Sequence, residues 1–257
     1  MAFLSVTNLT KVFGGLKAIN DLSLEVDKGD LLGIVGPNGS GKTTCFNLIT
    51  GYLKPSSGNI FFKNASITGQ PPHKIAALGM TRTFQLTSLF PELTVSENVL
   101  LGLHLKLEPG IAAPLVRTFF MTGKFFQKES WAKARAGELM ELLELTPRRN
   151  ELAKNLPGPD QRRLEIAIAL GSEPELVLLD EPVAGMRPDE TDKVGEIIKQ
   201  LIAMKYTILV VEHNMRFIMN LCQRIIVLNH GTKIAEGTPD HIYNNSEVRR
   251  VYLGGER

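Results

Sequence analysis

Cysteine is scarce in this sequence of 257 residues, which contains only Cys45 and Cys222, far apart along the chain. Neither cysteine belongs to a CxxC pair or to a Cys/His spacing of the kind that holds zinc. A disulfide framework and a zinc site are therefore not indicated. We expect both cysteines to be small, buried hydrophobic residues.

Long hydrophobic runs are missing as well. No uncharged apolar stretch approaches the ~18 residues that a membrane-spanning helix requires. The N-terminal segment MAFLSVTNLTK lacks the basic region and the long apolar core of a secretory signal. We therefore expect the chain to stay in the cytosol and to reach a membrane only through another polypeptide.

A surplus of charge of either sign is also missing. Lys and Arg number 29 and Asp and Glu number 27, which gives a net charge of +2. This balance argues against a nucleic-acid-binding surface and against a polybasic membrane patch. Hydrophobic residues make up 43% and charged residues 22% of the chain, an ordinary globular mixture that excludes a disordered, collagenous or coiled-coil protein.

The hydrophobic pattern changes twice along the chain. Residues 1–90 show mainly strand patterns, residues from about 91 to 159 mainly helical ones, and from 160 to 257 helices alternate with short apolar runs. Such alternation is typical of a parallel sheet with helices on both faces. We predict one α/β domain whose core is formed by 1–90 and 160–257, with a helical insertion between them. Residues 107–126 form either a loop or an interaction surface.

Two helices are predicted within this insertion. The first begins at Thr94, which is followed three residues later by Glu97, the spacing of a capping box. The second covers KESWAKARAGELMELLEL and ends at Pro147. Its apolar residues, at steps of three and four, are Trp131, Ala134, Leu139, Leu142, Leu143 and Leu145.

A glycine-rich segment, GPNGSGKT at 36–43, lies between an apolar run of the buried-strand type at 31–35 and a helix pattern. This is the GxxxxGK[ST] sequence in the strand, turn and helix context of a phosphate-binding loop. Its glycines let backbone N–H groups turn inward around phosphate oxygens, while Lys42 supplies a cation and Thr43 a hydroxyl for Mg²⁺. A glycine-rich turn that fits by chance is the alternative. The predicted nucleotide-binding residues are Gly36, Pro37, Asn38, Gly39, Ser40, Gly41, Lys42, Thr43 and Thr44.

Two carboxylates follow the apolar run LVLL at 176–179. At the end of a strand, Asp180 can reach the Mg²⁺ held by Thr43. Glu181 can then orient and polarise an attacking water. Without the phosphate-binding loop upstream, the same pair of residues would be interpreted as a solvated turn.

Two further polar residues lie near the ends of short apolar runs. His213, in VVEHNM, can contact a γ-phosphate if its strand lies beside the strand of Asp180. A structural or solvated histidine is the alternative. Gln85, in RTFQ, can donate or accept a hydrogen bond at Mg²⁺ or at its water.

With these motifs in place, the chain resembles the ATP-binding subunits of ABC transporters. The matching elements, in chain order, are Phe13, the phosphate-binding loop at 36–43, Gln85, the helical insertion, a signature segment at 156–160, Asp180 with Glu181, a D-loop at 184–187 and His213. RTFQLTSLFPELTVSENVLLG, QRRLEIAIAL, DEPVAGM, VVEHNM and the closing VYLG resemble most the subfamily that powers uptake of branched-chain amino acids.

The resemblance implies a P-loop NTPase fold with an antiparallel β subdomain and an inserted helical subdomain, and it implies ATP and Mg²⁺ as cofactors. It also implies that Phe13 stacks on adenine, for which a position in the core is the alternative. The other implied roles are catalysis by Glu181, His213 and Gln85 and metal binding by Thr43, Gln85 and Asp180.

Partners follow from the resemblance too. It implies a head-to-tail dimer with a second ATP-binding subunit, identical or different, which ATP closes and hydrolysis releases. The dimer would drive transmembrane permease subunits from the cytoplasmic face of the inner membrane, as a peripheral subunit. A periplasmic solute-binding protein would take part only indirectly, and branched-chain amino acids or related small polar solutes are the leading cargo.

Three alternatives to this function are open, one of them also a transport protein. A lipopolysaccharide-export ATPase is the nearest transport alternative. A nucleotide-binding regulatory subunit with little turnover is the second. An ABC ATPase of DNA repair or translation is disfavoured, because such proteins usually carry a long coiled-coil insertion or two ATPase domains.

The resemblance fails at two positions, both in segments that contact the partner subunit. Family members carry LSGGQ or a close variant, whose hydroxyl and glycine N–H reach the γ-phosphate bound by the opposite subunit, whereas this segment is LPGPD. Pro159 stands where glycine is expected and has no N–H to donate. Arg187 stands where the D-loop usually has Asp or Asn. We hypothesise an asymmetric pair of sites, in which the site on this chain's phosphate-binding loop hydrolyses ATP and the other mainly holds it. Substitution by the N–H of Gly158 is the alternative.

The variant Pro159→Gly tests this hypothesis. A hydrogen bond to a charged acceptor contributes ~1.5–3 kcal/mol, so the restored N–H should strengthen closure at each interface by about tenfold to a hundredfold. We expect the steady-state ATPase rate of an isolated homodimer to rise, because both of its interfaces carry the proline. An unchanged rate, with Lys42→Ala still removing activity, would make Pro159 a tolerated variant and refute the asymmetry.

Overall fold

The computed structural model describes residues 2–83, 89–107 and 123–253. The predicted Gln85 and most of the segment 107–126 lie outside the described residues.

Contacts among the described residues divide the chain into two compact units. Unit 1 comprises the residues up to Arg82 and those from Glu175 onward, and unit 2 runs from Thr83 to Pro174. The boundaries predicted from the hydrophobic pattern lay near residues 90 and 160. The second boundary falls later because the helix that follows the signature segment packs with the other helices of unit 2.

A six-stranded sheet forms the centre of unit 1. Its strands are β3 Leu31–Val35, β6 Met80–Arg82, β7 Leu176–Asp180, β8 Thr207–Glu212, β9 Arg224–Asn229 and β10 Thr232–Gly237. They lie in the order β10-β9-β3-β8-β7-β6, and every neighbouring pair is parallel except β9 with β10. Strands β3, β7 and β8 are buried along their whole length, which explains why they appear in the sequence as continuous apolar runs.

A second sheet in unit 1 is antiparallel. It contains β1 Leu4–Phe13, β2 Leu16–Val26, β4 Ser57–Phe62 and β5 Ala65–Ser66, in the order β2-β1-β4-β5. Its buried side chains share one hydrophobic core with β3, β7 and β8 and with the helix α1, Lys42–Ile49. This sheet corresponds to the antiparallel β subdomain that the resemblance implied. Cys45 and Cys222 are buried as predicted, and burial raises the pKa of each thiol to about 12.

The remaining helices surround these sheets or form unit 2. In unit 1 they are α2 Pro72–Ala77, α6 Pro188–Ala203, α7 Met215–Leu221, α8 Pro239–Asn244 and α9 Ser246–Leu253, and in unit 2 they are α3 Val95–Leu107, α4 Gly123–Leu142 and α5 Gly158–Gly171. Short 3₁₀ turns at Thr146–Arg148 and Ala153–Asn155 join α4 to α5. Within the described part of the chain, no helix has both the length and the apolar character needed to cross a membrane.

The predicted capping box of α3 is confirmed. The backbone N–H of Thr94 donates to the Glu97 carboxylate at 2.8 Å, and the N–H of Glu97 donates to the Thr94 hydroxyl at 3.2 Å. The buried face predicted for α4 is partly wrong, because Trp131 and Ala134 are exposed and Ala132 and Ala136 are buried instead. Helix α4 also ends at Leu142, before Pro147.

Helices α3 and α5 approach each other closely at two glycines. A Cβ atom on Gly102 would lie 2.6 Å from the carbonyl oxygen of Ile168. A Cβ on Gly171 would lie 2.9 Å from the backbone of Gly102. Because the obstacles are backbone atoms, no side chain can move aside to make room.

We predict that Gly102→Ala destabilises unit 2 by about 1–3 kcal/mol, through overpacking at this crossing. Gly137→Ala on α4 is the matched control, since a Cβ there meets nothing within 4 Å. It should instead stabilise the helix by roughly 0.5–1 kcal/mol. Trp131 is the only tryptophan of the chain and lies on α4, so its fluorescence during urea unfolding reports on this unit. Equal effects of the two substitutions would contradict the close packing.

Candidate functional site

The carboxyl ends of three neighbouring strands bring most of the predicted site residues together. Val35, the last residue of β3, pairs with Glu212 at the end of β8, and Asp180 at the end of β7 pairs with Val211. Most of the predicted site therefore lies at the carboxyl end of the sheet, where the strands are followed by the loop at 36–43, the pair Asp180 and Glu181, and His213. Crevices of this kind are where parallel α/β sheets bind ligands.

The loop at 36–43 is tightly curled, and two glycines make this possible. A Cβ on Gly36 would lie 2.3 Å from the Leu228 carbonyl oxygen and 2.4 Å from the Ser40 hydroxyl. Gly41 precedes α1 with a φ of 105°, a left-handed conformation that side chains disfavour. The loop thus leads into the first turn of α1. The N–H groups of a helix's first turn have no partners within the helix, so they can bind anions. The buried Ser40 hydroxyl has no hydrogen-bond partner among the described residues.

Lys42 is folded back onto its own loop. Its side-chain ammonium donates to the carbonyl oxygens of Gly36 at 2.7 Å and Pro37 at 3.0 Å, and the residue is only 6% exposed. Burial lowers the pKa of Lys42, and the negative charges of Glu181, Glu212 and Asp180 oppose that shift. The ammonium is therefore influenced by the carboxylates of the neighbouring strand ends.

Asp180 is buried and held by an arginine. Its Oδ2 accepts a hydrogen bond of 2.6 Å from the guanidinium of Arg82, and both side chains are almost fully buried. The same guanidinium donates at 2.6 Å to the side chain of Asn47 on α1. Sequence reasoning missed Arg82, although a charged residue at the end of a short strand was a usable signal.

Glu181 occupies an unusual backbone conformation. Its φ is 47°, in the left-handed region, and its N–H donates to the Val211 carbonyl oxygen at 2.9 Å. Strain of this kind is often stored at functional sites. The Glu181 carboxylate lies 3.8 Å from Nδ1 of His213, whose side chain is about half exposed. Glu181 and His213 are thus adjacent, and their catalytic roles stay a prediction.

Glu212 is a second residue that sequence reasoning missed. Its side chain is fully buried and accepts backbone hydrogen bonds from Val183 at 3.1 Å, from His213 at 3.1 Å and from Asn214 at 3.3 Å. Burial raises the pKa of this carboxyl group, and the N–H donors, with the nearby His213, oppose the shift. Glu212 therefore joins the turn after β7 to the turn that carries His213. A carboxylate that interrupts an apolar run directly before a histidine was the available signal.

Phe13 is the last residue of β1 in the β1–β2 hairpin and is 44% exposed, so the alternative of a core position is wrong. Lys11 lies 4.9 Å from its ring centroid. The second strand of this hairpin passes directly behind the phosphate-binding loop, where a Cβ on Gly41 would lie 2.6 Å from the Ala18 carbonyl oxygen. Stacking on adenine stays a prediction.

The two segments that depart from the family pattern are both helix starts. Pro157 precedes α5, and Pro159 lies in its first turn. Asp160, also in this turn, is buried and forms ion pairs with Arg148 at 2.7 Å and with Arg163.

Arg187 precedes α6, where its N–H donates to Glu190 at 2.9 Å and its guanidinium pairs with the same carboxylate at 3.0 Å. Glu190 thus caps the backbone N–H of Arg187, and the arginine side chain adds an ion pair to the same carboxylate.

The oxygen donors of the site fit Mg²⁺. The described residues contain no group of three or more His, Cys, Asp or Glu side chains that could hold a metal unaided. In nucleotide sites, however, Mg²⁺ keeps several waters and uses one or two protein oxygens together with the phosphates. Thr43, an exposed residue in the first turn of α1, and the buried Asp180 supply donors of this type.

Comparison with known proteins agrees with this geometry. A family model described as ABC transporter matches residues 19–184, more than half of the chain. The chain belongs to the ABC transporter family. A second model, described as branched-chain amino acid ATP-binding cassette transporter, matches residues 232–257. The predicted ABC-type ATPase and its fold class are confirmed.

Relatives of this ABC ATPase agree on the subfamily. The high-affinity branched-chain amino acid transport ATP-binding protein LivG of Escherichia coli K12 is 43% identical over 98% of this chain and 97% of its own length. The solved ADP conformation of MJ1267, an ATP-binding cassette of an ABC transporter, has a TM-score of 0.84 and 33% identity, covering 99% of each chain. A dimeric post-hydrolysis structure of the cassette MJ0796, with ADP and Pi, has a TM-score of 0.76 and 27% identity over 92% of this chain and 98% of its own.

We predict that Lys42→Ala abolishes tight binding of MgATP. The variant loses the only side-chain cation of the loop at 36–43, which would otherwise bind the multiply charged phosphate group. Lys199→Ala is the control, because Lys199 is an exposed lysine of α6 paired only with Glu196 in the described structure. Calorimetric titration should give wild-type affinity for the control. An affinity of Lys42→Ala within a few-fold of wild type would refute the assignment of the phosphate site.

Proposed function

We propose that this chain is the ATP-hydrolysing subunit of an importer of branched-chain amino acids. The observation that carries the proposal is the meeting of the phosphate-binding loop with Asp180, Glu181 and His213 at one edge of the sheet. The 43% identity to LivG, a branched-chain amino acid transport protein, supports the choice of cargo.

Nucleotide binding is proposed to begin with Lys42. When phosphates enter the curled loop, the Lys42 ammonium exchanges the carbonyl oxygens of Gly36 and Pro37 for phosphate oxygens, which carry more negative charge. The first-turn N–H groups of α1 point at the same oxygens. Phe13 offers its exposed ring to the adenine.

Hydrolysis is assigned to the residues beside the phosphates. Glu181 accepts a proton from the attacking water, and His213 contacts the γ-phosphate, while the buried Glu212 keeps the turn of His213 in place through its backbone hydrogen bonds. Gln85 is proposed to contribute at the metal or its water. Mg²⁺, held by Thr43 and Asp180, would offset negative charge on the phosphate oxygens.

Assembly is proposed to follow the dimeric cassette MJ0796. Two ATP-binding subunits would pair head to tail, and the pair would act on transmembrane permease subunits at the cytoplasmic face of the inner membrane. A periplasmic solute-binding protein would deliver the amino acid to the permease without touching this chain.

The asymmetry hypothesis gains support from Asp160. Helix N-termini stabilise anions, and in α5 the first turn already contains the buried carboxylate of Asp160, paired with Arg148 and Arg163. Pro159 in the same turn offers no N–H. We therefore keep the proposal that this chain's signature segment binds a partner's nucleotide weakly.

Reconstitution would distinguish this function from its alternatives. The chain is purified together with its partners from the membranes of the cells that produce it, and the complex is placed in liposomes. Uptake of labelled leucine is then measured with ATP inside or outside the liposomes. Uptake that needs ATP on the side of this chain supports the proposal. ATP-driven extraction of lipopolysaccharide would favour the export alternative, and an ATPase rate that membrane partners do not raise would favour the regulatory one.

We predict that Glu181→Gln retains nucleotide binding and stops turnover, because an amide cannot accept the proton of water while Asp180 still serves the metal. Gel filtration should show a dimer trapped by ATP. Glu175→Gln is the control, since Glu175 directly precedes β7 at the opposite end of that strand and pairs with Lys63 and Lys28. Normal turnover of Glu181→Gln would move the base to another residue.

A further inference from the structure

Arg82 joins two elements of unit 1 that carry the proposed metal ligands. One guanidinium nitrogen donates to Oδ2 of Asp180 at 2.6 Å, and the other donates to Oδ1 of Asn47 at 2.6 Å. The guanidinium also lies 5.5 Å from the ring centroid of Phe46 and 3.5 Å from the hydroxyl of Thr50. All of these contacts are to β7 or to the helix α1 and its C-terminal end.

The contact with Asn47 bears directly on Thr43. The two residues lie four positions apart on α1, so they occupy the same face of the helix one turn apart. A guanidinium that grips Asn47 and Asp180 together therefore sets the separation between the helix face that carries Thr43 and the carboxylate of Asp180.

The shape of the arginine side chain suits this task. A guanidinium presents its donors in a rigid planar fork, so it can hold two acceptors at a defined separation, whereas a lysine ammonium is a single point charge. The Arg82 side chain is 6% exposed and that of Asp180 is 3% exposed, so solvent hardly weakens the ion pair between them. Phe46, fully buried, limits movement of the fork from one side.

We propose that Arg82 is a positioning residue for Mg²⁺: it clamps Asp180 to α1 at the separation at which Asp180 and Thr43 serve one ion. This inference rests on the proposed function, because it takes Asp180 and Thr43 as the metal ligands. Arg82 is the last residue of β6 and of the first of the two chain segments of unit 1, and the predicted ligand Gln85 follows three residues later in the sequence. The clamp thus lies where the chain leaves the nucleotide-binding unit.

The test separates binding of the metal from binding of the nucleotide. The full chain is titrated with the fluorescent analogue mant-ADP in EDTA, and then with MgCl₂ at a fixed, saturating concentration of mant-ADP. Partners that orient metal ligands typically contribute 10–100-fold to metal affinity. In Arg82→Met, the Mg²⁺ concentration at half-saturation should therefore rise by about 10–100-fold, while the mant-ADP affinity in EDTA stays within a few-fold of wild type.

Two milder variants keep the test valid if Arg82→Met does not fold. Arg82→Lys retains the charge and loses the fork, and Asn47→Ala retains the ion pair with Asp180 and loses only the arm to α1. Both should raise the Mg²⁺ midpoint, and their effects should not add in the double variant, because each breaks the same clamp. Arg224→Lys is the matched control. Arg224 forms an ion pair with Asp30 at 2.8 Å, away from the proposed ligands, and its substitution should leave the midpoint unchanged.

The outcomes distinguish the clamp from the function on which it rests. A wild-type chain that binds mant-ADP without any response to Mg²⁺ would overturn the proposed metal site and the clamp with it. If the wild-type chain responds to Mg²⁺, and the variants Arg82→Lys and Asn47→Ala fold and keep the wild-type Mg²⁺ midpoint, the clamp alone is overturned. Loss of thermal stability with an unchanged midpoint would reduce Arg82 to a structural residue and also overturn the clamp.

Discussion

The site depends first on the parallel pairing of β3 with β8 and of β8 with β7. Parallel strands end at the same edge of the sheet, so the residues that follow them meet whatever their distance in sequence. The phosphate-binding loop, Glu181 and His213 lie far apart along the chain, and the sheet brings them to one crevice. The antiparallel sheet and α1 complete the core beneath it.

Buried charge is the second constraint on this crevice. Asp180 and Glu212 are buried carboxylates, and burying a charge is costly unless it is paired or hydrogen-bonded. Arg82 compensates Asp180, and backbone N–H groups compensate Glu212. Lys42, in turn, uses backbone carbonyl oxygens. The two carboxylates are thereby held in one position before phosphates and metal arrive. Lys42 is the group that would exchange its partners on binding.

Much of this arrangement could be predicted from the sequence, because its main elements are local. The motif at 36–43 determines a turn by glycine conformation and close approach, and an apolar run that ends in Asp180 determines a buried strand end. The contacts of Arg82 and Glu212 could not be predicted, since each depends on which strands are neighbours. Arg82 reaches residues 35 and 98 positions away in sequence. The burial of Trp131 was mispredicted because helical periodicity does not say which face a neighbouring helix covers.

In the proposed binding step, phosphates enter the curled loop and the Lys42 ammonium leaves the carbonyl oxygens of Gly36 and Pro37 to bind them. A crystal structure of the chain with Mg²⁺ and ADP tests this most directly. The account predicts the β-phosphate within the loop at 36–43, the Lys42 ammonium within hydrogen-bond distance of it, and Mg²⁺ on the hydroxyl of Thr43. A β-phosphate bound elsewhere, or a Lys42 that still donates to Gly36 and Pro37 with nucleotide present, would contradict it.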